Sequence, residues 1–176
     1  MAEILAGWSR SREGDGEGLL QLRNGLEALK ATGAELRTPF YHGLLAEACA
    51  AEGRTGEALA NISIGFAFQN QNGETWISAD LHRIQGDVLL KAGDAVEASA
   101  CFRRALEASR QTGARLFELR AAVRLCRLQK TADNSTAVLK SVYQLFTEGL
   151  DAPDLRDAGT LLQGAGNQAA KARQNG

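Results

Sequence analysis

The chain has 176 residues, of which 44% are hydrophobic, 6% aromatic and 23% charged, and its formal net charge is −1. Strong helix formers dominate, and the charge lacks the basic excess of a nucleic-acid-binding surface. No apolar run approaches the roughly 18 residues of a membrane span, and the N-terminus does not resemble a signal peptide. We therefore expect an all-α, soluble, cytoplasmic chain that binds neither nucleic acid nor membrane.

Short segments with a glycine in second place recur at an offset of 40 residues. They are Thr32-Gly33-Ala34-Glu35-Leu36, Asn72-Gly73-Glu74-Thr75-Trp76 and Thr112-Gly113-Ala114-Arg115-Leu116. Each glycine follows a polar residue and suits the left-handed residue that ends many helices. A fourth version, Asp151-Ala152-Pro153-Asp154-Leu155, comes one residue early and contains proline in place of glycine.

A second set of breaks, including Gly53 and Gly93, lies about halfway between these segments. Each 40-residue unit is therefore predicted to contain two helices, A and B. We place the A helices near 2–13, 36–52, 75–92 and 115–131, the B helices near 15–31, 55–71, 95–111 and 135–148, and a capping helix at 152–164. The repeats span about 1–34, 35–74, 75–114 and 115–151. Residues 165–176 lack an apolar stripe and are predicted to be a flexible tail.

Helix pairs repeated at this length predict a right-handed superhelical solenoid. The spacing of small and large residues resembles the tetratricopeptide pattern, although its standard unit is about 34 residues long. In the third repeat, Gly86 is followed by Ala98-x-x-x-Phe102, and the second repeat has Ala46 and Ala58-x-x-x-Ile62. We expect these small residues to let helix A approach helix B, with Ala6 and Cys126 at the places equivalent to Gly86.

Three runs carry a closer resemblance: 79–90 (ADLHRIQGDVLL), 97–106 (EASACFRRAL) and 143–155 (YQLFTEGLDAPDL). They are similar to the C-terminal repeat region of large bacterial signalling proteins that join an adenylate/guanylate cyclase or DNA-binding domain to a predicted signal-transduction ATPase. The resemblance implies a non-catalytic repeat region of such a regulator, with the cyclase and ATPase chemistry in other domains.

The residues themselves offer no enzyme motif. The glycine-rich segment 14–18 lacks the lysine of a phosphate-binding loop, and we expect a helix–helix turn there. Cys49, Cys101 and Cys126 lack metal-site spacing and are expected to be free, buried hydrophobes. His42 and His82 are 40 residues apart and could begin a metal site, but packing between helices is the expected role. No cofactor or metal is predicted.

The most promising site is a row of arginines on the fourth A helix. Arg120, Arg124 and Arg127 share one helical face, which we expect to line the concave surface. The other candidates for this surface are Glu47, Arg83 and Asp87. One interpretation is a ladder of ion pairs, Asp80 with Arg120 and Asp87 with Arg127. The other is a cluster that receives a carboxylate or phosphate from a partner, with Arg124 left free because it would face Ile84.

The sequence is compatible with two functions. The first is an interaction scaffold that binds a protein segment, another domain of the same regulator or a second copy of itself. The alternative is a small-molecule sensor in a transcriptional regulator or cyclase. A second copy could pair through the N-terminal end, where Ile4, Leu5 and Trp8 are expected to form an exposed apolar strip.

Overall fold

The computed structural model describes residues 1–129 and 133–174, and the side chains of all of these except 133 and 167–174. Within these ranges the chain is helical and contains no strand, which confirms the predicted all-α class. The helices are α1 (Ala2–Arg12), α2 (Gly18–Ala31), α3 (Thr38–Ala51), α4 (Thr55–Asn72), α5 (Ser78–Lys91), α6 (Ala95–Thr112), α7 (Arg115–Leu128), α8 (Asp133–Tyr143) and α9 (Pro153–Gln174), with a 3-10 turn at Thr75–Ile77. None of the described helices is long and apolar enough to cross a membrane.

Most of the observed helices match the predicted intervals to within a few residues. Glycines explain why: Gly33, Gly73 and Gly113 have φ angles of 75°, 68° and 69°, as the 40-residue spacing predicts. Glycine adopts this left-handed conformation without the strain that a Cβ would cause, and it ends the helix. Helices α4 and α6 end directly before Gly73 and Gly113, and α2 ends two residues before Gly33. The fourth B helix differs, since α8 ends at Tyr143 and the next positive φ is that of Gly149, before Pro153 begins α9.

The final helix is longer than predicted. It continues to Gln174, whereas the sequence analysis ended it at residue 164 and placed a flexible tail after that. Alanine, glutamine, lysine and arginine dominate the added segment and favour a helix without an apolar stripe. Residues 175–176 of the predicted tail lie outside the described residues.

Two kinds of contact arrange the helices. Sequential helices pack together, most extensively α1 with α2, α3 with α4, and α5 with α6. The odd-numbered helices also contact each other in chain order, α1 with α3, α3 with α5, α5 with α7 and α7 with α9. The odd-numbered helices therefore lie side by side, and this arrangement positions the candidate site.

Close helix pairs depend on small residues, as predicted. A Cβ added to Gly86 would lie 2.7 Å from Cδ1 of Phe102 on α6, so only glycine fits against that ring. The other predicted packing residues are buried, with at most 1% of their surface exposed. They are Ala46, Ala58, Ile62, Ala98 and Phe102.

In the first repeat the equivalent place is held by Gly7, and the prediction of Ala6 is wrong. Ala6 is exposed, whereas a Cβ on Gly7 would lie 2.7 Å from the carbonyl oxygen of Gly18. A Cβ on Gly18 would likewise lie 2.7 Å from the carbonyl oxygen of Gly7. The two backbones touch here, which requires glycine on both helices and shifts α1 by one residue relative to the 40-residue spacing.

The predicted apolar strip at the N-terminus is not exposed as a strip. Ile4 is fully buried and packs against Gly25 of α2. Trp8 is half-buried, and Leu5 alone of the three is exposed, at 42%. Ile4 lies between α1 and α2 and is therefore not available to a second copy.

The three cysteines are free and buried, as expected. Burial raises the pKa of Cys49 and of Cys101, so both thiols are held in the neutral form. Cys126 lies within 3.8 Å of the hydroxyl of Thr136 on α8. All three act as small core residues between helices.

Candidate functional site

The odd-numbered helices line a groove with a volume of about 830 Å³. Side chains from α1, α3, α5, α7 and α9 line it. All six candidate residues of the sequence analysis are among them: Glu47, Arg83, Asp87, Arg120, Arg124 and Arg127. Within the described residues, the five odd-numbered helices therefore share one surface.

Arg83 on α5 lies at the centre of a charged network. Its Nε donates to Oδ1 of Asp80 at 2.6 Å, its Nη1 to Oδ2 of Asp87 at 2.8 Å and its Nη2 to Oε1 of Glu47 at 2.8 Å. Its side chain is only 9% exposed. Burial opposes the charge, but the nearby Asp80, Glu47 and Asp87 outweigh it and raise the pKa of Arg83. The buried guanidinium therefore stays charged.

The network continues to the helices on either side. The second oxygen of Glu47, Oε2, accepts a hydrogen bond from the indole Nε1 of Trp8 at 2.9 Å. The second oxygen of Asp87, Oδ1, accepts one from Nε of Arg124 at 2.7 Å. One connected set of hydrogen bonds thus joins α1, α3, α5 and α7 across the wall of the groove.

The predicted ladder of ion pairs is wrong in its partners. Arg120 pairs with Asp154 instead of Asp80, through Nε at 3.1 Å and Nη2 at 2.8 Å. Arg127 pairs with Asp157 instead of Asp87. Residues three and four apart are neighbours on a helix, so Asp80 and Asp87 both turn towards Arg83 on their own helix. Arg120 and Arg127 of α7 instead bind two acids of α9, Asp154 and Asp157.

The prediction that Arg124 is left free is also wrong, because Arg124 pairs with Asp87. That expectation assumed that residues 40 apart lie directly opposite each other, which would place Arg124 against Ile84. The long arginine side chain instead reaches Asp87, about one turn further along α5. Arg124 remains partly accessible, with 33% of its side chain exposed.

Sequence reasoning missed several residues that line the groove. They are Trp8, Arg12, Lys91, Asp154 and Asp157. Asp154 and Asp157 lie three apart near the start of α9 and share a helical face, a spacing visible in the sequence. That signal has meaning only once α9 is known to contact α7.

The two histidines pack against α4, as the packing interpretation expects. Nδ1 of His42 lies 2.9 Å from Oδ1 of Asn61, and the His82 ring centroid is 4.6 Å from that of Phe66. Burial lowers the pKa of both histidines. Within the described residues, no group of three or more His, Cys, Asp or Glu is placed to hold a metal ion.

The groove offers N–H donors on α7 beside apolar side chains such as Leu44 and Ile84, so it can contact both polar and apolar parts of a bound molecule.

No protein-family model and no curated protein matches the chain.

Proposed function

We propose that the chain is a non-catalytic helical-repeat scaffold that binds a protein segment in the groove of the odd-numbered helices. The segment belongs to a separate protein or to another domain of the same bacterial signalling regulator. In this proposal the helix pairs form a tetratricopeptide-like, right-handed solenoid with repeats at about 1–34, 35–74, 75–114 and 115–151, capped by α9.

The spacing of packing residues supports the repeat interpretation. Leu22, Ile62, Phe102 and Val142 are each 40 residues apart, lie on α2, α4, α6 and α8, and are at most 2% exposed. A set of equivalent core positions on alternate helices is what stacked helix pairs require. The contacts between successive odd-numbered helices agree with such stacking.

The groove is the observation that carries the functional proposal. It runs across five helices, and its charged side chains reach solvent: Arg120, Arg124 and Arg127 are 36%, 33% and 47% exposed. A small molecule is usually bound in a pocket that covers most of its surface. A groove this wide and this accessible instead suits an extended segment with several side chains, so we favour a protein partner over a small-molecule inducer.

Selection of short random peptides displayed on phage tests the proposal. We expect the selected peptides to bind the chain and to lose about tenfold or more in affinity when Leu5→Asp or Leu90→Asp places a charge in the groove. Both leucines line the groove and are partly exposed, at 42% and 37%, so these variants should still fold.

Leu20→Asp and Val96→Asp are the matched controls, since Leu20 and Val96 are exposed, at 60% and 84%, and do not line the groove. Peptide binding should be unchanged in both. The proposal would be contradicted if the groove variants and the control variants lost the same affinity for the selected peptides. A selection that yields no binding peptide would also contradict it.

A further inference from the structure

The groove has more hydrogen-bond donors than its own acceptors use. Arg124 gives its Nε to Asp87, and its two terminal nitrogens have no acceptor among the described residues. Arginine carries five N–H donors, four of them on those terminal nitrogens. Because the side chain is one-third exposed, these donors are available to a molecule in the groove.

Two further cations line the groove without an ion-pair partner in the described part of the chain. Lys91 donates to the backbone oxygen of Ala50 at 3.2 Å, and a carbonyl oxygen does not neutralise its charge. The guanidinium carbon of Arg12 lies 4.9 Å from the centroid of the Trp8 ring. Neither contact neutralises the positive charge, so both cations can bind an anion in the groove.

The carboxylates of the central network, in contrast, are occupied. Both oxygens of Glu47 accept hydrogen bonds, from Arg83 and Trp8, and both oxygens of Asp87 accept from Arg83 and Arg124. A cationic ligand would compete with Arg83, Arg124 and Trp8 for these two carboxylates, whereas an anionic ligand can use the donors that remain. The described lining includes six basic and five acidic side chains, against a net charge of −1 for the chain as a whole.

We propose that the groove recognises an acidic, partly apolar peptide segment. Its carboxylates bind the terminal nitrogens of Arg124, the ammonium of Lys91 and the guanidinium of Arg12, since charge-assisted bonds to guanidinium are among the strongest in proteins. Its apolar side chains cover Leu5 and Leu90, which line the same groove and are partly exposed. This inference rests on the proposed function, because it names the kind of segment that the scaffold binds.

Three pools of fluorescently labelled peptides test this inference. The pools have the same length and apolar content and differ only in their polar residue, which is Glu, Gln or Lys. Anisotropy titrations should show that the Glu pool binds about tenfold more tightly than the Gln pool, and that the Lys pool binds most weakly. Raising the salt concentration should lower the affinity of the Glu pool for the chain and leave the affinity of the Gln pool nearly unchanged. In the Trp76→Phe variant, the Glu pool should change the emission of Trp8, the remaining tryptophan, at a concentration about tenfold lower than the Gln pool requires.

Variants of single basic residues show where the acidic peptides bind. Arg124→Gln and Lys91→Gln should each lower the affinity for the Glu pool about threefold to tenfold. Arg103→Gln should not, because Arg103 is exposed on α6, outside the groove, and has no ion pair among the described residues. Equal weakening by Arg103→Gln would indicate attraction to net charge alone and would overturn the assignment.

The outcomes separate the two proposals. If the phage-selected peptides bind the groove but the Glu and Gln pools bind equally, the acidic preference is wrong and the scaffold proposal stands. If neither the selected peptides nor any pool binds, both proposals fail.

Discussion

At the residue scale, two positions show how single side chains determine the structure. Position 86 requires glycine because the ring of Phe102 occupies the space that a side chain would need. Arg83 is buried because three carboxylates from α3 and α5 surround it. The first could be predicted from repeat spacing alone. The second could not, since nothing in the sequence shows that Glu47 approaches Arg83.

Adding a single methyl group at position 86 should destabilise the fold. We expect Gly86→Ala to lower the free energy of unfolding by about 1–3 kcal/mol through overpacking against Phe102, and Gly86→Leu to lower it further. Urea denaturation measures the change. The control is Gly56→Ala in the first turn of α4, where a Cβ would meet nothing within 4 Å. It should be neutral or stabilise by up to about 1 kcal/mol, and an equal loss in both variants would disprove close packing at Gly86.

The two histidines should make the free energy of unfolding depend on pH. Burial lowers the folded-state pKa values of His42 and His82 below the ordinary histidine value, so the unfolded chain binds more protons as the pH falls through about 6.5. The stability that neutral His42 and His82 provide is present above about pH 6.5 and is lost progressively below it. The loss should not exceed about 1.4 kcal/mol per pH unit for each histidine.

Urea midpoints at about pH 7.5 and about pH 5.5, one unit on either side of the ordinary histidine pKa, give the measurement. Replacing both histidines with asparagine should remove most of the difference between the two conditions. An unchanged difference in the double variant would assign it to other groups.

At the element scale, the helices were predictable and their lateral contacts were not. Recurrent glycines with positive φ end helices at regular intervals, and that signal is local, so sequence spacing reveals it. The partners of Arg120 and Arg127 depend on α9, which reaches α7 from more than 25 residues along the chain. The one-residue shift of α1 likewise depends on contact between Gly7 and Gly18, a tertiary feature.

Arg83 should contribute to the placement of α3 against α5. We expect Arg83→Ala to lower the free energy of unfolding by about 3 kcal/mol, because it leaves Asp80 without a cation and Glu47 and Asp87 with fewer bonds. Arg83→Lys should give an intermediate loss, since an ammonium cannot contact three carboxylates with the geometry of a guanidinium. Thermal or urea unfolding measures both changes.

The exposed Arg103→Ala provides the control and should change stability by less than about 0.5 kcal/mol. If Arg83→Ala were no more harmful than Arg103→Ala, the network around Arg83 would contribute nothing to the fold.

At the scale of the whole molecule, one face of the helix array collects the charged side chains that the sequence analysis singled out. The six candidates, spread from residue 47 to residue 127, all line one groove, because odd-numbered helices contact each other in chain order. Sequence spacing was sufficient to place them on a common surface. It was insufficient to show which donors remain available, since that depends on the exact hydrogen bonds of Asp87 and Glu47.

The most direct test of a peptide-binding groove is nuclear magnetic resonance of the ¹⁵N-labelled chain titrated with a phage-selected peptide. We expect the indole N–H signal of Trp8 and the Nε–H signal of Arg124 to shift as the peptide saturates the groove, together with backbone amides of α3, α5 and α7. Signals of the exposed face of α6, including the amide of Arg103, should stay in place. Saturable binding that shifts the α6 amides while the Trp8 and Arg124 signals remain unchanged would contradict the account.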